Sequence, residues 1–143
     1  MTGHVATAEI DIQAPPSAVW AALTEPEAVK QAMFGAEVDT DWTPGSPITW
    51  TGEFQGRPFQ DKGQILAVEP HRRLSMTHWS PMSGTADEPS NHHTLVYQLA
   101  ERGGGTHLTL EQDNNASAEE AEHSAQQWST MLEVIKRVAE ERA

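Results

Sequence analysis

A long amphipathic helix closes the sequence: residues 119–143 read EEAEHSAQQWSTMLEVIKRVAEERA. Apolar residues recur there at intervals of three and four, the period of one helical face. About 24 helical residues would extend roughly 36 Å at 1.5 Å per residue, and an apolar face of that length must pack against another layer. The predicted face consists of Ala121, Ala125, Trp128, Leu132, Ile135 and Ala139, with Met131, Val134 and Val138 beside it.

Alternating segments supply that other layer. Residues 4–13 alternate apolar and polar side chains as a half-buried strand does. The following segment, PPSAVWAALTEPEAVKQAM, predicts two short helices, because prolines mark the start of a helix and Pro26 interrupts the run. Asn115 or Ser117 could cap the long helix. Six further strands are predicted between the second short helix and the long C-terminal helix: AEVDTDW, PITWTGEF, FQDKGQILAVEP, RRLSMTHW, HHTLVYQLAE and THLTLEQ. We therefore expect an α+β fold whose seven-stranded antiparallel sheet is covered by the long helix.

Composition restricts the classes of function. The 143 residues contain no cysteine and fit one domain spanning residues 1–143. The sequence lacks an apolar run of the roughly 20 residues that a bilayer span needs, so we expect a soluble, cytoplasmic protein. The net charge of −12 disfavours nucleic acid and anionic membranes as partners. The acidity is explained by solubility or, alternatively, by a protein partner that binds through the acidic surface.

A curved sheet closed by one helix can leave a cavity between its two layers. The alternative is a core filled by the protein's own side chains, and a strand phase that is wrong by one residue would exchange the two faces. The candidate cavity residues are Trp50, Met76, His78, Leu95, Tyr97 and Leu99 on strands, with Trp128, Met131 and Leu132 on the helix.

Five segments in order resemble a known superfamily. The chain is similar to START-like (SRPBCC) helix-grip proteins, and specifically to the group that includes the C-terminal domain of the activator of the ninety-kilodalton heat-shock protein ATPase. The segments cover nearly the whole chain: IDIQAPPSAVWAALTEPEAV, DWTPGSPITWTG, DKGQILAVEPHRRLSMTHWSP, HTLVYQLAERGGGTHLTLEQDN and AQQWSTMLEVIKRV.

The resemblance implies a curved seven-stranded sheet gripping the C-terminal helix, with two short helices completing a cavity. Members of this superfamily commonly bind lipids, sterols or polyketides there, some are cyclases, aromatases or hydratases, and the eukaryotic namesake is a co-chaperone. This short chain lacks the additional N-terminal domain of the namesake, so we expect it to resemble the bacterial members of unknown role.

Two polar residues are candidates for orienting a ligand. The alternation places His78 on the inner face, where an imidazole could anchor a hydroxyl or carboxylate group, or act as a general base. Tyr97, the single tyrosine, offers a hydroxyl within an apolar wall, or else lies at its rim. Glu53, Arg57 and Asp61 lie around a predicted turn and are expected to be solvated. We assign no catalytic residue.

His71, His78, His92 and His93 raise the possibility of a metal site. Adjacent residues of a strand point to opposite faces, so only one of His92 and His93 can join a third ligand. The chain also lacks a helical pair of ligands such as HExxH, and we predict neither metal nor cofactor. Residues 80–92, SPMSGTADEPSNH, form a long loop typical of a lid or binding loop.

The sequence thus favours binding of a hydrophobic or amphipathic small molecule between sheet and helix. The alternatives are a cyclase-, aromatase- or hydratase-like enzyme acting in the same cavity, with the balance against an enzyme, and a co-chaperone-like interaction module. Monomer and homodimer are both compatible with the pattern.

Overall fold

The computed structural model describes residues 1–33 and 35–142, and these form one sheet and three α-helices. The predicted end of the last helix, Ala143, lies outside the described residues. The strands are β1 (His4–Ile12), β2 (Glu37–Asp39), β3 (Pro47–Phe54), β4 (Arg57–Glu69), β5 (Arg73–His78), β6 (His93–Arg102) and β7 (Gly105–Asn115). The helices are α1 (Pro16–Thr24), α2 (Pro26–Ala32) and α3 (Ala118–Arg142).

All neighbouring strands pair antiparallel, in the order β1-β7-β6-β5-β4-β3-β2. This confirms the predicted α+β fold with a seven-stranded sheet. Pro26 begins α2 directly after Glu25, which caps both short helices in an extended conformation. A proline at the start of each helix explains why two short helices form here and not one long helix.

Helix α3 begins after Ser117, one of its two predicted caps, and most of its predicted apolar face is buried. The Ser117 hydroxyl accepts the Glu120 N–H at 3.1 Å, and the Glu120 carboxylate accepts the Ala116 N–H in return. Of the predicted apolar face, Trp128, Ala125 and Val134 are only partly buried. The buried residues are Ala121, Met131, Leu132, Ile135, Val138 and Ala139.

Small side chains let α3 approach the β1 edge of the sheet closely. Ala6 and Ala8 of β1 are buried, and Ala6 lies beside Ala121 of the helix. Near the other end of α3, Lys136 Nζ donates to the Asp11 carbonyl at 3.0 Å, and Glu140 accepts the Gln13 N–H at 2.8 Å. The helix is therefore fixed at the β1 edge, and most of the bulky inner side chains lie on the other strands.

Candidate functional site

The inner face of the sheet carries the predicted side chains in the predicted phase. In register, Met76 lies opposite Leu95, and Leu74 opposite Tyr97. Trp128 packs against the buried core from α3, and His78 is partly buried at the end of β5. The remaining predicted residues all belong to one buried apolar cluster: Trp50, Met76, Leu95, Tyr97, Leu99, Met131 and Leu132.

A hydrogen-bond partner for His78 comes from an unexpected residue. Asp61 Oδ2 lies 2.9 Å from His78 Nε2, and the two side chains are only 17% and 21% exposed. The expectation that Asp61 is solvated is therefore wrong. The β3–β4 register sets Asp61 directly opposite the buried Trp50, and the Trp50 ring contacts the imidazole edge-to-face at 5.2 Å.

Glycine at position 63 allows this approach. A Cβ at Gly63 would lie 1.8 Å from the Thr77 carbonyl oxygen, so no other residue fits without moving β4 away from β5. The pairing continues past the end of β5, where Lys62 and Trp79 exchange two backbone hydrogen bonds of 2.9 and 2.8 Å. Asp61 is consequently placed against His78.

The signal for Asp61 was present in the sequence. Counting back in steps of two from the buried Ile65 puts Gly63, Asp61 and Phe59 on one face. A strand that begins at Arg57 therefore carries its aspartate inward. The expectation of a solvated Asp61 followed from its place beside the predicted turn, since an inward acid needs a partner.

The Asp61–His78 pair leaves two polar atoms without a hydrogen-bond partner among the described residues. Asp61 Oδ1 and His78 Nδ1 are both shielded from solvent. Such buried, unpartnered atoms are rare in native proteins, and each costs about 1–3 kcal/mol. Their presence on two neighbouring side chains distinguishes this place from an ordinary core.

Two further shielded polar atoms face the same interior, again counted among the described residues. The Tyr97 hydroxyl and Gln112 Oε1 both lack a partner. Tyr97 is 1% exposed, so of the two predicted alternatives its hydroxyl lies within the apolar wall and not at the rim. Burial raises the pKa of Tyr97 far above its ordinary value of 10.0. The hydroxyl is therefore neutral throughout the physiological range.

The four histidines considered for a metal site each contact a different group. His71 contacts Trp20 edge-to-face. His93 lies opposite His78 in the register, and its Nδ1 is 2.7 Å from the Asp113 carbonyl oxygen. His92 lies 2.9 Å from Asp87 in the loop of residues 80–92. Each ring thus has a different local partner.

That loop is anchored beside the Asp61–His78 pair. His92 stacks on the Trp79 ring with 6.3 Å between centroids, and Trp79 Nε1 donates to the Thr85 hydroxyl at 3.1 Å. Asp87 contacts both Lys62 and His92, and these hydrogen bonds, chiefly the one from Lys62, lower the pKa of its carboxyl group. The anchoring residues Lys62 and Trp79 directly follow Asp61 and His78 in the chain.

Comparison with known proteins identifies the family. The family model described as "Activator of Hsp90 ATPase homolog 1-like protein" matches residues 13–140. The chain therefore belongs to this family, and its fold is the START-like helix-grip fold. No curated protein shows a significant sequence match to the chain.

Solved structures agree over nearly the full length. The solution structure of ChR145 from Cytophaga hutchinsonii is 39% identical, with a TM-score of 0.84, and the match covers 99% of this chain and 97% of that one. MLL2253 from Mesorhizobium loti is 21% identical, with a TM-score of 0.76 and coverage of 98% and 99%. The Aha1 dimer from Colwellia psychrerythraea is 18% identical, with a TM-score of 0.73 and coverage of 96% of both chains.

The fold is compatible with binding a ligand in a hydrophobic interior between sheet and helix. Within the described part of the chain, no helix combines the length and apolarity that crossing a bilayer requires.

Proposed function

We propose that this protein binds a hydrophobic or amphipathic small molecule between the sheet and α3, with the polar group of the ligand held by Asp61 and His78. The observation that carries the proposal is the pair of shielded, unpartnered atoms on these two side chains. A polar group within a mostly apolar wall is the arrangement by which binding sites orient small molecules.

The apolar part of the ligand would lie against the side chains next to the pair. Trp50 contacts His78, and Met76 is the next inward residue of β5, with Leu95 opposite it. A ligand that buries about 200 Å² of apolar surface there would gain roughly 5 kcal/mol before the costs of association are subtracted. Even without those costs, this apolar gain alone corresponds to a dissociation constant of about 0.2 mM.

A surface pocket on α3 supports a route by which a ligand could enter the interior between the sheet and α3. It has a volume of about 420 Å³, and its walls include Gln127, Trp128, Thr130 and Met131. Met131 belongs to the buried cluster and Trp128 packs against it. Because the unpartnered atoms are shielded from solvent, we expect side chains near Trp128 and Trp50 to move when a ligand enters.

Titration with the neutral dye Nile red tests the proposal. We expect saturable fluorescence enhancement at one site per chain. Met76→Phe, which fills the interior, should weaken uptake at least 5-fold. Leu66→Phe makes a comparable change at an exposed position of β4, and it should leave uptake unchanged. Absence of saturable uptake by the wild type would overturn the proposal, as would equal uptake by Met76→Phe.

An enzyme acting in the same interior is the second candidate, because a carboxylate that orients an imidazole is an arrangement used for general-base catalysis. It predicts turnover of a bound compound that His78→Ala abolishes while the melting temperature stays within a few degrees. Turnover that survives His78→Ala would exclude this role for the pair.

The Colwellia relative is described as a dimer, which supports a homodimer as the assembly to test for this chain. Sedimentation velocity over a range of concentrations distinguishes it from the monomer.

A further inference from the structure

We infer that the ligand is an uncharged apolar molecule that donates hydrogen bonds, such as a phenol, alcohol or N–H compound, and not a carboxylate or phosphate amphiphile. This inference rests on the proposed function and adds the chemical class of the ligand to it. It follows from which polar atoms of the interior lack partners and from where the cationic side chains lie.

The Asp61 carboxylate fixes the tautomer of His78. Because a carboxylate only accepts hydrogen bonds, the 2.9 Å contact requires the imidazole proton on Nε2. In the neutral ring, Nδ1 is then an acceptor with a free lone pair. Asp61 Oδ1 is also an acceptor. With a neutral imidazole, both unpartnered atoms of the pair require a donor from the ligand.

The polar groups at the other end of the interior, near Gln112 and Tyr97, also favour a ligand that donates hydrogen bonds. Gln112 Oε1 is a third unpartnered acceptor, and the Tyr97 hydroxyl can accept or donate. Gln112 lies opposite Leu95, which lies opposite Met76. From these positions and ordinary strand spacings, Gln112 is about 12 Å from His78. A ligand of bicyclic size reaches the pair alone, and only an elongated one reaches both ends.

An anionic ligand would find no cationic partner inside. Eight of the nine Lys and Arg side chains are exposed. The ninth, Lys136, is half-buried and is bound to the Asp11 carbonyl and to Glu140. Lys62 is adjacent to Asp61 but points to the outer face, where it pairs with Asp87. A buried carboxylate beside Asp61 would therefore be repelled and left unpaired, which is strongly unfavourable.

Three naphthalenes of nearly equal shape test the inference: 2-naphthol is a neutral donor, 2-methoxynaphthalene has no donor, and 2-naphthoate is an anion. Their affinities near neutral pH can be measured from the methionine methyl signals of the wild-type protein. We expect 2-naphthol to bind about 10-fold or more tightly than the methyl ether, the magnitude of a hydrogen bond to a charged acceptor. We expect 2-naphthoate to bind most weakly.

Asp61→Asn tests whether the pair sets this preference. The amide can donate to His78 Nε2 and so place the imidazole proton on Nδ1. The advantage of 2-naphthol over the ether should then fall below about 3-fold, and 2-naphthoate should gain relative to both. Asp39→Asn removes the same charge from an exposed position on β2 and should leave the wild-type order intact.

The outcomes separate the two proposals. Saturable binding of all three compounds without preference for 2-naphthol, or with preference for 2-naphthoate, would overturn the ligand class and leave the proposed function standing. No binding of any of them would overturn both. Long-range proton–nitrogen NMR of the wild type adds a test that needs no variant, because a proton on His78 Nδ1 would contradict the inference.

Discussion

Replacing Tyr97 by phenylalanine should stabilise the ligand-free protein. The side chain is 1% exposed, and its hydroxyl has no partner among the described residues. Removing a buried hydroxyl of this kind regains about 1–3 kcal/mol. The space left by one oxygen atom costs only about 0.3 kcal/mol. The expected net gain in the free energy of unfolding is therefore about 0.7–2.7 kcal/mol, or roughly 2–8 °C in melting temperature for a chain of this size.

Thr106→Val is the matched control. Its hydroxyl is equally buried, but it donates to the Ala14 carbonyl at 2.8 Å. Removing a partnered hydroxyl should destabilise the protein by about 1 kcal/mol, so the two variants should shift the urea midpoint in opposite directions. If Tyr97→Phe destabilised the protein as much as Thr106→Val does, the hydroxyl would have a partner, and the argument from unpartnered atoms would fail.

Three other measurements test the strand contact, the loop and the buried phenol. Gly63→Ala should lower the free energy of unfolding in urea by about 2–4 kcal/mol, because β4 must move away from the Thr77 carbonyl. A loss below about 0.5 kcal/mol would contradict the close approach of β4 and β5. Asp87→Asn should speed amide exchange in residues 80–92 without a comparable loss of global stability, since it removes the ion pairs to Lys62 and His92; unchanged exchange there would show that these pairs do not hold the loop. The phenolate absorbance of Tyr97 should appear only with unfolding, because burial raises the pKa of the folded protein's phenol above that of the unfolded chain. The contribution of this shift to stability is therefore complete below pH 10 and is lost as the pH rises further. A reversible titration of the folded protein near pH 10 would contradict the burial.

Local pattern was sufficient for most of the fold. The apolar spacing of α3 predicts most of its buried face because a helix repeats every 3.6 residues. Its start is predicted by two possible caps, Asn115 and Ser117, of which the Ser117 hydroxyl accepts a free N–H. Alternation in β5 and β6 predicts that Met76, Leu95 and Tyr97 share a face, and their register confirms it.

The polar part of the site depends on pairing between strands, which periodicity does not report. Counting in steps of two along β4 places Asp61 on the inner face, but only the pairing of β4 with β3 sets it opposite Trp50. Its contact with His78 further depends on Gly63, whose missing side chain permits the close approach of β5. Trp128 illustrates the opposite error, since helical spacing places it on the buried stripe, whereas it is only partly buried at the surface pocket.

Intermolecular nuclear Overhauser effects between 2-naphthol and the methyl groups of the protein would test the interior site most directly. Binding beside Asp61 and His78 predicts contacts from the naphthol ring to the methyl groups of Met76 and Leu95, which line the interior next to the pair. Contacts confined to exposed methyl groups such as those of Val5 and Leu66 would place the ligand on the surface and contradict the account.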